Sequence, residues 1–170
     1  MEAATGVLPV TVAVGAPAPS FTLPGVELSP DGTSSSRRDF ALADVVGRPA
    51  VLVFYPADHS PVCTVQLQTY SHDIGEFAGV GAHVLAISPQ SVDEHEGFAS
   101  EHDLAFPLLA DEGKHVGEAY GILGPLGFYR RSIFVIDAEG IVRYAHRATA
   151  GLTFRPVDEI IDAIAALQTT

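Results

Sequence analysis

The sequence predicts a single α/β domain with a central mixed β-sheet flanked by helices. Two observations support this fold class. Uninterrupted, β-branched apolar runs at 50–54 and 84–87 are typical of strands buried on both faces. Between such runs lie segments with apolar residues at intervals of three and four, typical of helices that connect parallel strands. A chain of 170 residues can bury the full core of one domain.

The elements follow one another without internal repeats or a linker. Residues 1–13 are predicted to be an N-terminal extension, extended or partly frayed, and residues 14–170 the domain. A polar turn or short insertion at 31–36 precedes the solvated Arg37 and Arg38, a short element at 42–47 and the strand at 50–54. Expected next are a helix at 64–77, a strand at 84–87, a helix from about 91 to 102, a strand at 107–111, a small helix through 120, a loop at 121–127, a hairpin of strands at 132–136 and 141–145, and a final helix from about 156.

Local signals support the helices and the hairpin. Ser91-Val-Asp-Glu94 is a capping box that begins a helix. The turn at 137–140, Asp-Ala-Glu-Gly, separates two apolar runs as in a β-hairpin. In the last helix, one apolar stripe leaves the acidic residues largely on the other side; it comprises Val157, Ile160, Ile161, Ile164 and Leu167.

The most informative stretch contains Cys63, the only cysteine. Pro56 ends the strand at 50–54 because proline has no N–H for a sheet hydrogen bond. Ser60 is a favoured N-cap and Pro61 suits the first helical position, so Cys63 occupies the third. Unpaired amides and the helix dipole at that position favour thiolate over thiol. The alternative is a cysteine that only fills the core, as many lone cysteines do.

The pattern Pro56-x-x-x-Ser60-x-x-Cys63 resembles the signature of the peroxiredoxins. The wider Phe-Tyr-Pro-x-x-x-Ser-Pro-x-Cys-Thr is most similar to the bacterioferritin-comigratory (Q-type) and one-cysteine E-type branches, and the likeness extends from about Val14 onward. It implies a thioredoxin-like fold and a Cys63 that attacks the O–O bond of a peroxide. No cofactor is expected.

Three further residues are candidates for the catalytic site. In the resembling family an arginine precedes the phenylalanine of an R-x-x-F-x-I-D strand, and Arg131 fits that spacing, with Arg130 expected on the other face. A guanidinium supplies permanent charge and several donors to thiolate and peroxide oxygens. Ser60 is either a hydrogen-bond partner of sulfur or peroxide or only a cap. Pro56 either shields the thiolate from water or only ends the strand.

The chain departs from the family pattern at two positions. Val62 stands where the most similar branches usually have glycine, which narrows the mouth of the site or makes it more apolar. Gln68 stands where many Q-type members have a second, resolving cysteine. We therefore expect a one-cysteine cycle, in which a hydroperoxide oxidises Cys63 to sulfenic acid and an external thiol reduces it. That thiol would be a thioredoxin-, glutaredoxin- or mycoredoxin-like protein or a low-molecular-weight thiol, and the resemblance implies a homodimer.

The seven histidines show no metal-ligand spacing, so no metal site is expected. His95 and His102 are predicted to lie on the solvated side of their helix. His59, in the loop before Cys63, either tunes access to the site or is simply exposed. A cysteine hydrolase would need a histidine base against Cys63, and only His59 is near in sequence. A redox sensor or holdase with the same oxidisable thiol is the other alternative.

The composition limits which binding partners and which cellular compartment we expect. The net charge of −12 argues against nucleic acid and anionic membranes as partners. No apolar run approaches the roughly 20 residues of a membrane span, and the acidic N-terminus does not resemble a signal peptide. One cysteine excludes an internal disulfide and Cys-x-x-Cys exchange. Because that count suits a reducing compartment, we expect a cytoplasmic protein.

Overall fold

A computed structural model describes residues 12–148 and 153–168. The predicted extension at 1–13 lies outside the described residues except for its last two, of which Val12 is buried. Within the described ranges, no helix is both long and apolar enough to cross a membrane.

In the described residues, seven strands form one mixed sheet with helices on its two faces, which confirms the predicted fold class. The strand order is β2-β1-β5-β4-β3-β6-β7. Strands β3, β4 and β5 run parallel, and the other pairs are antiparallel. The strands are β1 Thr22–Leu28, β2 Ser35–Ala41, β3 Ala50–Phe54, β4 His83–Ser88, β5 Leu108–Ala110, β6 Ser132–Ile136 and β7 Val142–Arg147. The helices are α1 Pro61–His72, α2 Ile74–Gly79, α3 Val92–His102, α4 His115–Ala119 and α5 Val157–Ala166.

Strand β3 lies inside the sheet between β4 and β6, and all five of its residues are buried. Its side chains alternate between two hydrophobic cores, one on each face of the sheet. Val51 and Val53 enter the core that also contains apolar residues of α1, α3 and α5. Leu52 and Phe54 enter the second core, which α4 and the segment before β1 help to close. Burial on both faces explains why this run has no polar residue.

The N-terminal β-hairpin was not predicted. The sequence suggested a turn at 31–36 and a solvated Arg37 and Arg38, whereas β1 and β2 pair along seven residues each. Strand β2 is almost wholly exposed, so it lacks an apolar pattern, and β1 contains Pro24 and Gly25, which disfavour a strand assignment. Gly25 is needed because a Cβ there would lie 2.8 Å from the Leu108 carbonyl oxygen.

Most of the other predicted elements are present, with one helix divided. The expected helix at 64–77 begins at Pro61 and is split into α1 and α2 at Asp73, where φ is −96° and ψ is 19°. The predicted capping box is confirmed, since the Ser91 hydroxyl accepts from the Glu94 amide. The hairpin of β6 and β7 and the last helix also lie where the sequence placed them.

The sheet brings two distant parts of the chain together beside α1. Strand β6 is antiparallel to β3, and Phe54 pairs with Ser132. The residue before β6 therefore lies next to the end of β3. That end leads into residues 55–60, here called the active-site loop, and then into α1.

Candidate active site

Cys63 lies in the first turn of α1, as predicted. Ser60 is the N-cap, with extended φ and ψ of −71° and 145°, and Pro61 is the first helical residue. The Ser60 hydroxyl accepts a hydrogen bond from the Cys63 amide at 3.4 Å. Its carbonyl accepts from the Thr64 hydroxyl at 2.8 Å. The cap therefore fixes the turn that carries the sulfur, and the Cys63 residue is fully buried.

Arg131 provides a cation beside this sulfur. Its Nη1 lies 3.3 Å from Cys63 Sγ, and the residue is only 5% exposed. Arg131 reaches Cys63 because it directly precedes β6, whose first residue pairs with the last residue of β3. Arg130 is half-buried, with its side chain beside Gly124. A guanidinium in this position stabilises negative charge on the sulfur and can donate to an approaching oxygen atom.

Gln66 is a site residue that the sequence analysis missed. Its Oε1 accepts a hydrogen bond of 2.6 Å from Arg131 Nη1, the same nitrogen that contacts the sulfur. Its Nε2 donates to the Tyr70 hydroxyl at 3.4 Å, and that hydroxyl donates to the Arg155 carbonyl at 2.5 Å. Burial raises the pKa of Tyr70 to about 12, so its hydroxyl stays protonated. Gln66 follows Cys63 by three positions on α1, a spacing that places both on one helix face.

A second buried network fixes the active-site loop to α3. His95 Nδ1 lies 2.7 Å from Asp58 Oδ2, and both side chains are fully buried. The Tyr55 hydroxyl donates to Asp58 Oδ1 at 2.6 Å. Burial first, and then the Asp58 carboxylate, raise the pKa of Tyr55 well above its usual range. The prediction that His95 lies on the solvated side of its helix was wrong.

The reason is that a buried carboxylate needs donors. His95 Nε2 is 3.0 Å from the Leu109 carbonyl oxygen, which only accepts, so Nε2 carries a proton. The short contact of Nδ1 with Asp58 then requires a further proton between those two atoms. The pair is therefore neutral overall, which makes its burial tolerable. In the sequence, His95 follows a capping box and has polar neighbours, and neither feature indicated that Asp58 would be its buried partner.

The remaining predicted residues lie around the loop. Pro56 is half-buried directly after β3, and Val62 is half-buried in the first turn of α1. His59 is exposed and has a left-handed backbone with φ of 65°. Its Nδ1 faces a carboxylate oxygen of Glu101 at 3.8 Å, so it points toward the end of α3. Among the described residues, no histidine ring hydrogen-bonds to Cys63, and a hydrolase-type cysteine–histidine pair is therefore not formed.

Comparison with known proteins places this chain in a family. The AhpC/TSA family matches residues 14–145, a range that includes Pro56, Ser60, Cys63 and Arg131. The chain belongs to this family, the peroxiredoxins. It is 32% identical to the chloroplastic peroxiredoxin Q of Triticum aestivum, over 98% of this chain and 71% of that protein. It is also 32% identical to the chloroplastic peroxiredoxin Q of Sedum lineare, over 92% of this chain and 78% of that protein.

Solved structures of peroxiredoxins have the same fold. The reduced 2-Cys peroxiredoxin of Plasmodium vivax superposes with a TM-score of 0.79 at 26% identity, covering 91% of this chain and 81% of that chain. Mycobacterium bovis AhpC gives a TM-score of 0.84 at 24% identity, with 94% of each chain covered. The thioredoxin-like fold that the peroxiredoxin resemblance implied is thereby confirmed.

Proposed function

We propose that this peroxiredoxin is a one-cysteine thiol peroxidase that reduces hydrogen peroxide and organic hydroperoxides through Cys63. The observation that carries the proposal is the 3.3 Å contact between Arg131 Nη1 and the sulfur of the only cysteine. This sulfur lies in the first turn of α1, where amides and helix dipole favour an anion. Membership of the AhpC/TSA family supports the same chemistry.

The reaction balances with the residues present and two equivalents of external thiol. The Cys63 thiolate bonds to one peroxide oxygen as the O–O bond breaks, and the departing oxygen takes a proton and leaves as water or alcohol. Cys63 is then a sulfenic acid. An external thiol condenses with it, releasing water, and a second thiol reduces the mixed disulfide to restore Cys63. Arg131 donates to the oxygens on which charge develops, and Gln66 holds the guanidinium in place.

The proposal also requires a thiol reductant from another molecule. Gln68 is exposed on α1 at the position that resembling proteins use for a resolving cysteine, so a second thiol must come from another molecule. A thioredoxin-, glutaredoxin- or mycoredoxin-like protein or a low-molecular-weight thiol has the required chemistry. A homodimer and a reducing, cytoplasmic location remain predictions from the resemblance and from the single cysteine.

Trapping the oxidised cysteine tests the cycle. One equivalent of peroxide should produce a sulfenic acid that a dimedone-type reagent labels at Cys63 and at no other residue, as read by peptide mass spectrometry. Excess peroxide should convert it to sulfinic acid and inactivate the protein, whereas added thiol should protect it. Cys63→Ser should lose peroxide consumption and keep its circular dichroism spectrum. If this variant consumes peroxide as fast as the parent, the proposal is wrong.

The complete burial of Cys63 favours one alternative, a redox sensor or holdase that reacts without rapid turnover. Both functions produce the same sulfenic acid, so labelling does not separate them. Steady-state peroxide consumption with a panel of thiol reductants does. Sustained turnover supports the peroxidase, and a single oxidation without turnover supports the sensor.

A further inference from the structure

The end of α3 and the active-site loop bring together three side chains that sequence spacing did not connect. His59 belongs to the loop, and Glu101 and His102 end α3. One ligand atom from each, two imidazole nitrogens and a carboxylate oxygen, lies within 4.8 Å of the others. His59 Nδ1 is 3.8 Å from one Glu101 oxygen, and His102 Nε2 is 3.7 Å from the other. The expectation that no histidines would combine in this way came from their separation along the chain.

We propose that His59, Glu101 and His102 bind a Zn²⁺-type divalent cation that clips the active-site loop to α3. Two imidazoles and one carboxylate are a ligand set that zinc accepts, with water in the fourth position. Tetrahedral bonds of about 2.0–2.2 Å place ligand atoms about 3.3–3.6 Å apart. Each histidine nitrogen is already close to that distance from Glu101. The two imidazole nitrogens, within 4.8 Å of each other, must come closer, and the exposed His59 can move toward the half-buried His102.

Two features of the surroundings prepare the imidazoles for this role. The buried Phe98 ring contacts both of them edge to face, with centroid distances of 4.9 Å to His59 and 5.0 Å to His102. These contacts restrict the rotation of both imidazole rings. In addition, Gln68 Nε2 lies 3.1 Å from His102 Nδ1.

Gln68 is placed to provide an outer-shell interaction at a metal site. A metal-binding histidine usually donates its second ring N–H to an oxygen, which fixes the tautomer. Rotation of the Gln68 amide by half a turn exchanges its nitrogen and oxygen, and Oε1 then accepts the Nδ1 proton and leaves Nε2 of His102 for the cation. Gln68, at the position where resembling proteins have a resolving cysteine, would thus orient the His102 ring for metal binding.

Calorimetric titration of the untagged protein with Zn²⁺ alone tests the site, in a Cys63→Ser background so that the thiol cannot contribute. We expect saturable binding of one equivalent. His59→Ala and His102→Ala should weaken it at least tenfold, and Gln68→Ala about tenfold. His72→Ala is the matched control, because His72 is an exposed histidine that faces Asp73 and belongs to no group of three possible ligands among the described residues. It should bind Zn²⁺ like the parent.

Two further readouts identify the ligands and the clip. Co²⁺ should give the visible absorption of a tetrahedral site in the parent and lose it in Glu101→Gln. Zn²⁺ should raise the melting temperature of the parent and leave that of His59→Ala unchanged, since only native protein holds the complete site. Absence of saturable binding, or equal weakening by His72→Ala, overturns the proposal. The Cys63→Ser background makes the outcome independent of the proposed peroxidase reaction.

Discussion

Removal of one partner from the buried pair of Asp58 and His95 should be among the most destabilising single substitutions in this fold. Its 2.7 Å contact joins the active-site loop to α3, and both side chains are fully buried. Replacing His95 with leucine keeps much of the side-chain volume and removes both ring nitrogens. The Asp58 Oδ2 atom then has lost its nearest donor, and the Leu109 carbonyl has lost the Nε2 proton.

The magnitude follows from this geometry. Removing one partner of a buried charged pair costs about 3–5 kcal/mol, since the other is left buried and uncompensated. This cost of about 3–5 kcal/mol already includes the lost hydrogen bond to the Leu109 carbonyl. Because domains are stable by about 5–15 kcal/mol, His95→Leu should remain folded at low temperature with a much lower urea midpoint. Asp58→Ala should also destabilise, and the double variant should cost about 2–3 kcal/mol less than the sum of the two.

Urea unfolding of the two single variants and the double variant, at constant m-value, measures this coupling. His72→Leu is the matched control, because His72 faces Asp73 at 3.1 Å on the surface with a side chain 88% exposed. An exposed pair of this kind contributes little, so the free energy of unfolding should hardly change. If His95→Leu behaves like His72→Leu, or if the two single effects are simply additive, the argument for a coupled buried pair fails.

Three other predictions concern the site and the tyrosines. Arg131→Met should slow peroxide reduction about 10²–10³-fold through loss of a charged donor, while Arg130→Met should do little; equal losses in both would refute the assignment. Ser60→Ala should lower the free energy of unfolding by about 1 kcal/mol because the helix loses its N-cap, and Ser60→Thr should not lower it. If the alanine variant keeps the full peroxidase rate, the role of Ser60 is purely structural. Burial is the first cause of a raised pKa in all five tyrosines, and it raises the pKa of Tyr70 to about 12. The unfolded chain therefore loses these protons at about pH 10, before the folded protein does. The free energy of unfolding should be unaffected below about pH 10 and should fall as the pH rises through 10–12. Urea unfolding at about pH 8 and 10.5 checks the sign, and equal stability at both would contradict it.

Local signals in the sequence predicted the start of α1 and the strands of the sheet centre well. Ser60 and Pro61 determine the helix start through their own hydrogen bonding and φ preference, which do not depend on the rest of the chain. The apolar run of β3 similarly reports its burial directly. Arg131 was found through family spacing, and only the pairing of β6 with β3 explains why it reaches the sulfur.

The features that were missed depend on tertiary contacts. Gln66 looks like any polar helix residue until Arg131 lies beside it at 2.6 Å. His95 follows a capping box among polar residues, so its pattern suggested solvent, yet a buried carboxylate from the loop requires it. Strand β2 is exposed along most of its length and is defined by its pairing with β1. In each case the decisive partner is far away in sequence.

The support of Cys63 therefore includes α3 as well as α1. Consecutive residues of the active-site loop face this helix in different surroundings: Asp58 binds His95 in the interior, and His59 faces Glu101 at the surface. The same loop ends at Ser60, whose hydroxyl caps the turn that carries the sulfur. A shift of α3 would move the cap, and the cap would move the sulfur relative to Arg131. Because Cys63 is fully buried, the hydroperoxide of the proposed reaction can reach it only when this region opens locally, and the contacts with α3 oppose that opening.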